Sequence, residues 1–514
     1  MGGASCHNGG IVFRIALRQT LALLFAVIIA FGRSLWGSFH FDDYSLFSSG
    51  LWRPFDIRPL TYLTFWLNQQ IGGRDPVGYH AVNLLLHILA VLLFWAAMRR
   101  LISEKAAWIA AAIFAVHPFQ AEPVNYIFAR SSTLAAVFCL VALLSWARGR
   151  RWWAVAWFGL ALLAKEECVA FPALLLLLEI GKSRTRPQLR SAWKSAVPPI
   201  LAMFALAAAA GLRVLIATSR VSGSGAGVNA GISWNSYAQA QGVVILRYLR
   251  MLVLPFGFTV DPGIPVPPVW LGALAWLAVA LLAIAAAVLA WRGQRAALWF
   301  LGGIVLLLPS SSILPAADLA ADRRLYLPMI GFAAAAGLLL ERFRPAAGLA
   351  VVAVLAIASS IRTETWRTEA SLWEDAAAKA PLKVRPKIQL ARAVEPERGL
   401  EILEQARALA PRDPRVPAEE GRIYLTHGRP DQALMAFGRA LALEPRNADA
   451  YNNRGAALLA LNQKQAAQQD FERALAIDSC QFDARLNLLR LNVAVPPAPG
   501  CRFTPQQAKL LGGR

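Results

Sequence analysis

Runs of apolar residues about as long as a bilayer is thick recur along the first 361 residues, and they confine this part of the chain to membrane-embedded helices. A helical crossing needs about 20 predominantly apolar residues. Such stretches lie near 11–31, 80–98, 102–119, 131–147, 196–217, 269–291, 296–314, 325–341 and 345–361. The run 152–180 is too long for one span and is broken by Lys165, Glu166 and Glu167. Basic clusters flank it, Arg148, Arg150 and Arg151 on one side and Lys182, Arg184 and Arg186 on the other, so it reads as a hairpin of two short spans. That brings the expectation to about 11 crossings. With 57% hydrophobic and only 16% charged residues, the 514-residue chain is too apolar for a wholly soluble protein.

A formal net charge of +21 would point to nucleic acid in a soluble chain. Here the basic residues cluster in short loops between apolar runs, where they orient the protein instead, and no nucleic-acid partner is expected. The stretch Tyr237 to Phe258 is apolar too, but Arg247 and Arg250 share one helical face, so it reads as an amphipathic helix lying at the membrane surface. With that segment excluded, the loops 99–105, 148–151, 181–194, 292–295 and 341–344 fall on one side and hold fifteen Lys and Arg against Glu104 and Glu341. That side is expected to be the cytoplasm, with the N-terminus on it and the C-terminal region on the opposite face. If 237–258 crossed, the C-terminal region would return to the cytoplasm and the basic loop 292–295 would sit on the wrong side. The first apolar run has basic residues before it and no small-residue cleavage site near its end, which reads as a retained anchor.

After residue 361 the pattern changes to a repeat. Gly421 and Gly455, Ala433 and Ala467, Phe437 and Phe471, and Ala406, Ala440 and Ala474 recur every thirty-four residues. This is the tetratricopeptide period, in which small residues let two short helices touch and a phenylalanine fills the seam. Such modules bind polypeptides. Stability usually takes three units or more, so a degenerate unit from about Ala380 to Pro411 and a terminal helix from Phe482 to Val493 are expected to complete the stack. The whole chain is therefore expected to be all-α: a transmembrane body over 1–361 with a first outer loop at 34–79, a connector at 362–379, repeats over 380–493 and a tail at 494–514. Of five cysteines, Cys139 and Cys168 fall in apolar runs and behave as small hydrophobes. Cys480 and Cys501 would close a disulfide if the repeats face an oxidising compartment. No spacing resembles a zinc site, and no metal-ligating residues are expected.

The outer loops of this topology collect the ionisable groups that a purely structural membrane protein would not need. They carry Asp42 and Asp43; Arg58; His117, Glu122 and Arg130; Lys165 and Glu166; and Asp322, Arg323, Arg324 and Tyr326. Adjacent carboxylates just beyond a helix suit a general base, although such a pair is also at home in a solvated loop or a helix cap. Arginine forks and a lysine at the bilayer edge suit a phosphate head group, although any one of them alone reads as snorkelling. His117 before proline suits a helix cap as well as a substrate contact.

FDDYSLF at 41–47, RPLTYLTFWLN at 58–68, YHAVNLLLHILA at 79–90, HPFQAEPVNYIFARSSTLAA at 117–136, AKEECVAFP at 164–172 and ADRRLYLPMIGFA at 321–333 stand in this order ahead of the repeats. In that order the chain resembles the transmembrane and tetratricopeptide-repeat-containing proteins, GT-C type protein O-mannosyltransferases, and their bacterial members in particular. The resemblance implies an inverting glycosyltransferase that takes a sugar, mannose being the first candidate, from a polyprenyl-phosphate carrier to hydroxyls of protein acceptors. Its active site would face away from the cytoplasm, in a bacterial inner membrane with periplasmic repeats. By position Asp42 or Asp43 would take the acceptor's proton. Lys165, Arg130 and Arg323, with Arg58 and Arg324, would meet the donor phosphate, and His117, Glu122, Glu166, Asp322 and Tyr326 would shape the pocket. No cofactor is expected to be required, since a phosphate met by cations is already a good leaving group and metal is optional. Two other readings stand beside it: a transferase acting on lipid or glycan acceptors, and a non-enzymatic membrane-anchored scaffold.

Overall fold

The structure, a computed structural model, describes residues 4–47, 57–185, 190–219, 232–311, 315–316, 318–497, 500–501, 503 and 505–512. Parts of two expected loops, 48–56 and 186–189, lie outside the described residues. The architecture is all-α. The chain divides into two compact units, Met1–Tyr44 with Leu51–Arg367 and Ser45–Gly50 with Thr368–Arg514.

The first unit holds α1 (Ala4–Phe31), α2 (Pro59–Gly72), α3 (Pro76–Leu101), α4 (Glu104–Val116), the single-turn α5 (Ala121–Asn125), α6 (Arg130–Ala147), α7 (Arg151–Ala164), α8 (Phe171–Thr185), α9 (Arg190–Ser219), α10 (Trp234–Val253), α11 (Val269–Trp291), α12 (Arg295–Leu307), α13 (Met329–Leu340) and α14 (Pro345–Thr365). Local chemistry marks the boundaries. Asp75 accepts from the Val77 amide and Pro76 opens α3, while Ser103 accepts from the Ala106 amide to start α4. Gly149, at φ +77°, turns the chain between α6 and α7, a conformation that costs a glycine nothing.

Six of the expected crossings are helices long and apolar enough to span by themselves: Ala16–Trp36, Pro76–Leu101, Ile127–Ala147, Trp193–Ala217, Val269–Trp291 and Pro345–Thr365. The other five expected crossings fall on α4, α7, α8, α12 and α13, which run only 12 to 15 residues. At 1.5 Å per residue these reach about 20 Å, short of a hydrocarbon core of about 30 Å. The run 152–180 is two helices, α7 and α8, parted by Lys165 and a 3-10 turn over Glu166–Ala170.

Close approach between these helices depends on small residues, as membrane packing requires. A Cβ on Gly331 of α13 would lie 2.2 Å from the Gly303 amide nitrogen of α12, and one on Gly337 would lie 2.4 Å from the Ala106 carbonyl of α4. The bundle has two chemically distinct ends. At one end Lys105 donates to the carbonyls of Glu341 and Phe343, and Arg342 to Gln294, so the basic turns lie together. At the other end the chain leaves α4, α7 and α12 and enters α6, α8 and α13 through turns that carry nearly all the candidate site residues.

The second unit is a row of short helices: α15 (Glu369–Lys379), α16 (Val384–Ala393), α17 (Pro396–Leu409), α18 (Arg415–Thr426), α19 (Pro430–Leu443), α20 (Ala448–Ala460), α21 (Lys464–Ile477), α22 (Phe482–Arg490) and α23 (Pro505–Leu510). Its thirty-four-residue period has a steric meaning. A Cβ on Gly421 would come within 2.7 Å of the Phe437 ring, and one on Gly455 within 2.6 Å of Phe471, so glycine is what lets each phenylalanine fill its seam. The degenerate unit α16–α17 places Gly399 at the position of Ala433 and Ala467 and Leu403 at that of the two phenylalanines, both buried. Buried carboxylates tie neighbouring helices of this row together: Glu420 takes Arg439 at 2.8 Å and also Arg407, and Asp470 takes Arg454 at 2.6 Å. Cys480 and Cys501 form a disulfide, with their Cα atoms 5.3 Å apart.

Candidate active site

Within the first unit, turns from four separate stretches of sequence are wired together at one end of the bundle. Asp42 lies in a short 3-10 turn over Phe41–Phe47, exposed, and its Oδ2 accepts a hydrogen bond of 3.0 Å from the Tyr126 hydroxyl. Asp43 beside it is different. It is fully buried, with Oδ2 accepting from the His40 amide at 2.9 Å and Oδ1 from the Phe128 amide at 2.7 Å. Burial pushes the Asp43 carboxyl up to about 8 despite those two donors. One carboxylate thus meets solvent while its neighbour pins the first turn to the second.

Three cations come from other turns, each on a carboxylate of its own. Arg58, at the start of α2, makes a two-bond fork on Glu166, with Nε 2.9 Å from Oε2. Burial works against ionising Glu166, but the Arg58 guanidinium overcomes it and holds the carboxyl down at about 2. Lys165 donates to Ser132 at 2.6 Å and pairs with Glu167 at 2.7 Å. Its ammonium is held below the usual lysine range by burial, with Arg58 and Arg323 adding to the effect and Glu167 opposing it. Arg323 reaches Glu122 at 2.5 Å and Asp318 at 3.9 Å, and its backbone amide also donates to Glu122 at 3.0 Å. Tyr126 feels Asp42, Asp43 and Arg323 together, and Lys165 in turn feels Arg323 and Arg58, so the acid pair is linked to the cations through Arg323.

Other candidate residues lie deeper. Arg130 is fully buried and donates to Asn83, Asn68, Thr64 and the Tyr79 carbonyl, stacked 4.5 Å over Phe65, which ties α2, α3 and α6 into one block. Tyr326 donates to His87, whose other ring nitrogen donates to the Ala115 carbonyl. His117 accepts from the Phe119 amide and stacks on that ring, in the capping geometry. Arg324 is spent on the Tyr237 hydroxyl and the carbonyls of Asp318 and Leu319. Asp322 faces Arg247 at 3.6 Å, and its carboxyl is pushed up to about 6 by burial, against the pull of Arg247 and with Glu122 adding to the rise.

Sequence reasoning passed over Tyr126, Asp318, Glu167 and Arg247 as site residues. Arg247 did carry a signal, since an arginine three residues from another on an apolar helix needs a partner, but that partner is 75 residues away in Asp322. Helix α10 itself touches the 310–324 segment through Tyr237, which donates to the Ser310 carbonyl, and through Tyr248, which bonds to Ala321. Those tyrosines are eleven residues apart, so α10 runs along this end.

Residues 54–210 match the dolichyl-phosphate-mannose-protein mannosyltransferase family, and residues 419–481 match a tetratricopeptide repeat family. Protein O-mannosyl-transferase TMTC3 from Homo sapiens is 29% identical over 160 residues, covering 26% of this chain and 18% of the human protein. Tmtc1 from Drosophila melanogaster is 38% identical over 135 residues, covering 25% of this chain and 15% of the fly protein. Over these stretches the chain is similar to the TMTC protein O-mannosyl-transferases. The aligned part spans less than a fifth of either curated relative's length. The mannosyltransferase match covers α2 to α8 and most of α9, and so includes Arg58, Glu122, Arg130, Lys165 and Glu166, while the repeat match falls wholly in the second unit.

Proposed function

We propose that the protein is a membrane glycosyltransferase of the GT-C type, moving a sugar, mannose in the first instance, from a polyprenyl-phosphate carrier to hydroxyl groups of protein acceptors with inversion at the anomeric carbon. The observation that carries the reading is the convergence of an exposed carboxylate, Asp42, with Lys165, Arg58 and Arg323 from other turns, in a chain whose residues 54–210 match a mannosyltransferase family. Asp42 accepts the proton as the acceptor oxygen attacks the anomeric carbon, the bond from that carbon to phosphate oxygen breaks, and the cations take up the charge of the departing lipid phosphate. Asp43 holds Asp42 in place through its two amide contacts. The leaving group is stabilised by these side chains, so the reaction is proposed to proceed without a metal. The repeats recruit the acceptor polypeptide. The charged end is placed outside the cytoplasm, in a bacterial inner membrane, with the basic turns inside, following the distribution of Lys and Arg; the Cys480–Cys501 bridge supports an oxidising environment for the repeats.

The test uses the purified full chain, polyprenyl-phosphate mannose and three acceptors: a serine- and threonine-rich peptide, a polyprenol and a free glycan. Transfer to the peptide alone supports the reading. Transfer only to the polyprenol or the glycan replaces the acceptor class, and no transfer from any lipid-linked sugar removes the reading altogether.

A further inference from the structure

We propose that the basic end of the bundle, opposite the candidate active site, holds a binding site for the head group of an anionic phospholipid. An open cavity of about 90 Å³ lies there, where the C-terminal ends of α3 and α8 meet the turn between α11 and α12. Leu101, Leu178, Leu298 and Trp299 form its apolar walls, and Lys182 and Arg295 stand in the same lining. That volume suits a phosphate group with a little of its glycerol and is too small for a whole lipid. The acyl chains would continue outward along apolar helix surface, where Leu277, Leu281 and Leu289 of α11 are exposed.

Charge decides what fills it. The carboxylates at this end are already committed: Glu104 accepts from Arg99 at 2.8 Å, Glu179 from Trp146 and Lys182 at 2.9 Å each, and Glu341 from Ser103. Among the described residues Arg100, Arg148, Arg150, Arg292, Arg295 and Arg344 form no ion pair, so the end keeps a surplus of cations with no protein counterion. A zwitterionic lipid brings its own positive group and gains little there. An anionic one supplies the missing charge, and a cationic pocket between helices at a membrane rim is the usual form of such a site. This site is independent of the proposed transfer reaction and uses none of its residues.

Purified full-length protein, stripped of lipid in detergent and given equal amounts of phosphatidylglycerol and phosphatidylcholine, would be read by native mass spectrometry for retained lipid. Selective retention of phosphatidylglycerol is expected. Arg295→Ala should weaken it roughly fivefold and the Arg295→Ala, Lys182→Ala pair ~30-fold, at the contribution expected per surface cation. Arg295→Lys should restore it, and Arg150→Ala, on the same end but outside the cavity, should leave it unchanged. Equal retention of both lipids, or equal losses from Arg150→Ala and Arg295→Ala, would overturn the site in favour of diffuse attraction. Displacement of the lipid by millimolar inorganic phosphate alone would overturn it in favour of a simple anion site.

Discussion

Asp42 and Asp43 are neighbours in sequence and opposites in setting, and that contrast sets two experiments apart. Asp42→Asn removes the proposed base and leaves the turn standing, so transfer should fall by about 10² to 10⁴ while the melting temperature holds. Asp43→Ala strips an acceptor from the buried amides of His40 and Phe128 and should destabilise the first unit by about 3 kcal/mol, read as a lower melting temperature in detergent. A loss of transfer from Asp43→Asn with Asp42→Asn fully active would reverse the assignment. Asp322 offers a pH test. Its carboxyl sits at about 6 in the folded protein against an ordinary 3.8, so between about pH 4 and 6 the folded state binds more protons than the unfolded one. Stability must then fall as pH rises through that window, and the higher position of Asp43 extends the decline to about pH 8. Since Asp43 contributes over the whole range, thermal melts of Asp322→Asn should show a shallower slope below about pH 6 and an unchanged one above it.

At the scale of the helix, what the sequence discloses depends on whether a signal is local. The break at Lys165 was legible because charge inside an apolar run has no other explanation, and the repeats were legible because Gly421 and Phe437 recur as Gly455 and Phe471. The shortness of α4, α12 and α13 was not, since an apolar run such as 102–119 continues past the last helical residue: His117 and Pro118 are as compatible with a span's edge as with its end. The split between Asp42 and Asp43 was equally hidden, because the Phe128 amide that makes the difference comes from 85 residues away. Close helix approach makes its own prediction. Gly331→Leu would drive a side chain into Gly303 and the Trp299 carbonyl, and overpacking at a backbone contact costs about 1 to 3 kcal/mol or more. A variant that melted like the unaltered protein would show that α12 and α13 do not pack this way.

For the molecule as a whole, the two chemically different ends of the first unit argue for a fixed orientation, and in the proposed one the basic turns face inward. Cysteines introduced singly at Asp75 and at Arg292 should react with a membrane-impermeant maleimide on intact spheroplasts at the first position only; the reverse pattern would invert the topology. The disulfide gives a second reading. Its 21-residue separation corresponds to about 3 kcal/mol of chain entropy, so Cys480→Ser should loosen the end of the second unit, seen as faster hydrogen exchange in α22. The mannosyltransferase match and the repeat match fall in different units, and each was foreseeable from residues that sit close together in sequence.

The short helices have one more implication. Where α4, α7, α8, α12 and α13 give out early, the slab of hydrocarbon around them does not, so if the shortfall lies at the charged end, the proposed site would occupy a hollow below the surrounding lipid surface. In the proposed reaction the sugar, carried on a membrane-bound tail, would arrive there by sliding in two dimensions, whereas the polypeptide would have to descend from water. The two partners therefore meet by different kinds of travel, and enriching the carrier in the bilayer would speed the encounter in a way that adding it to the bulk solution would not.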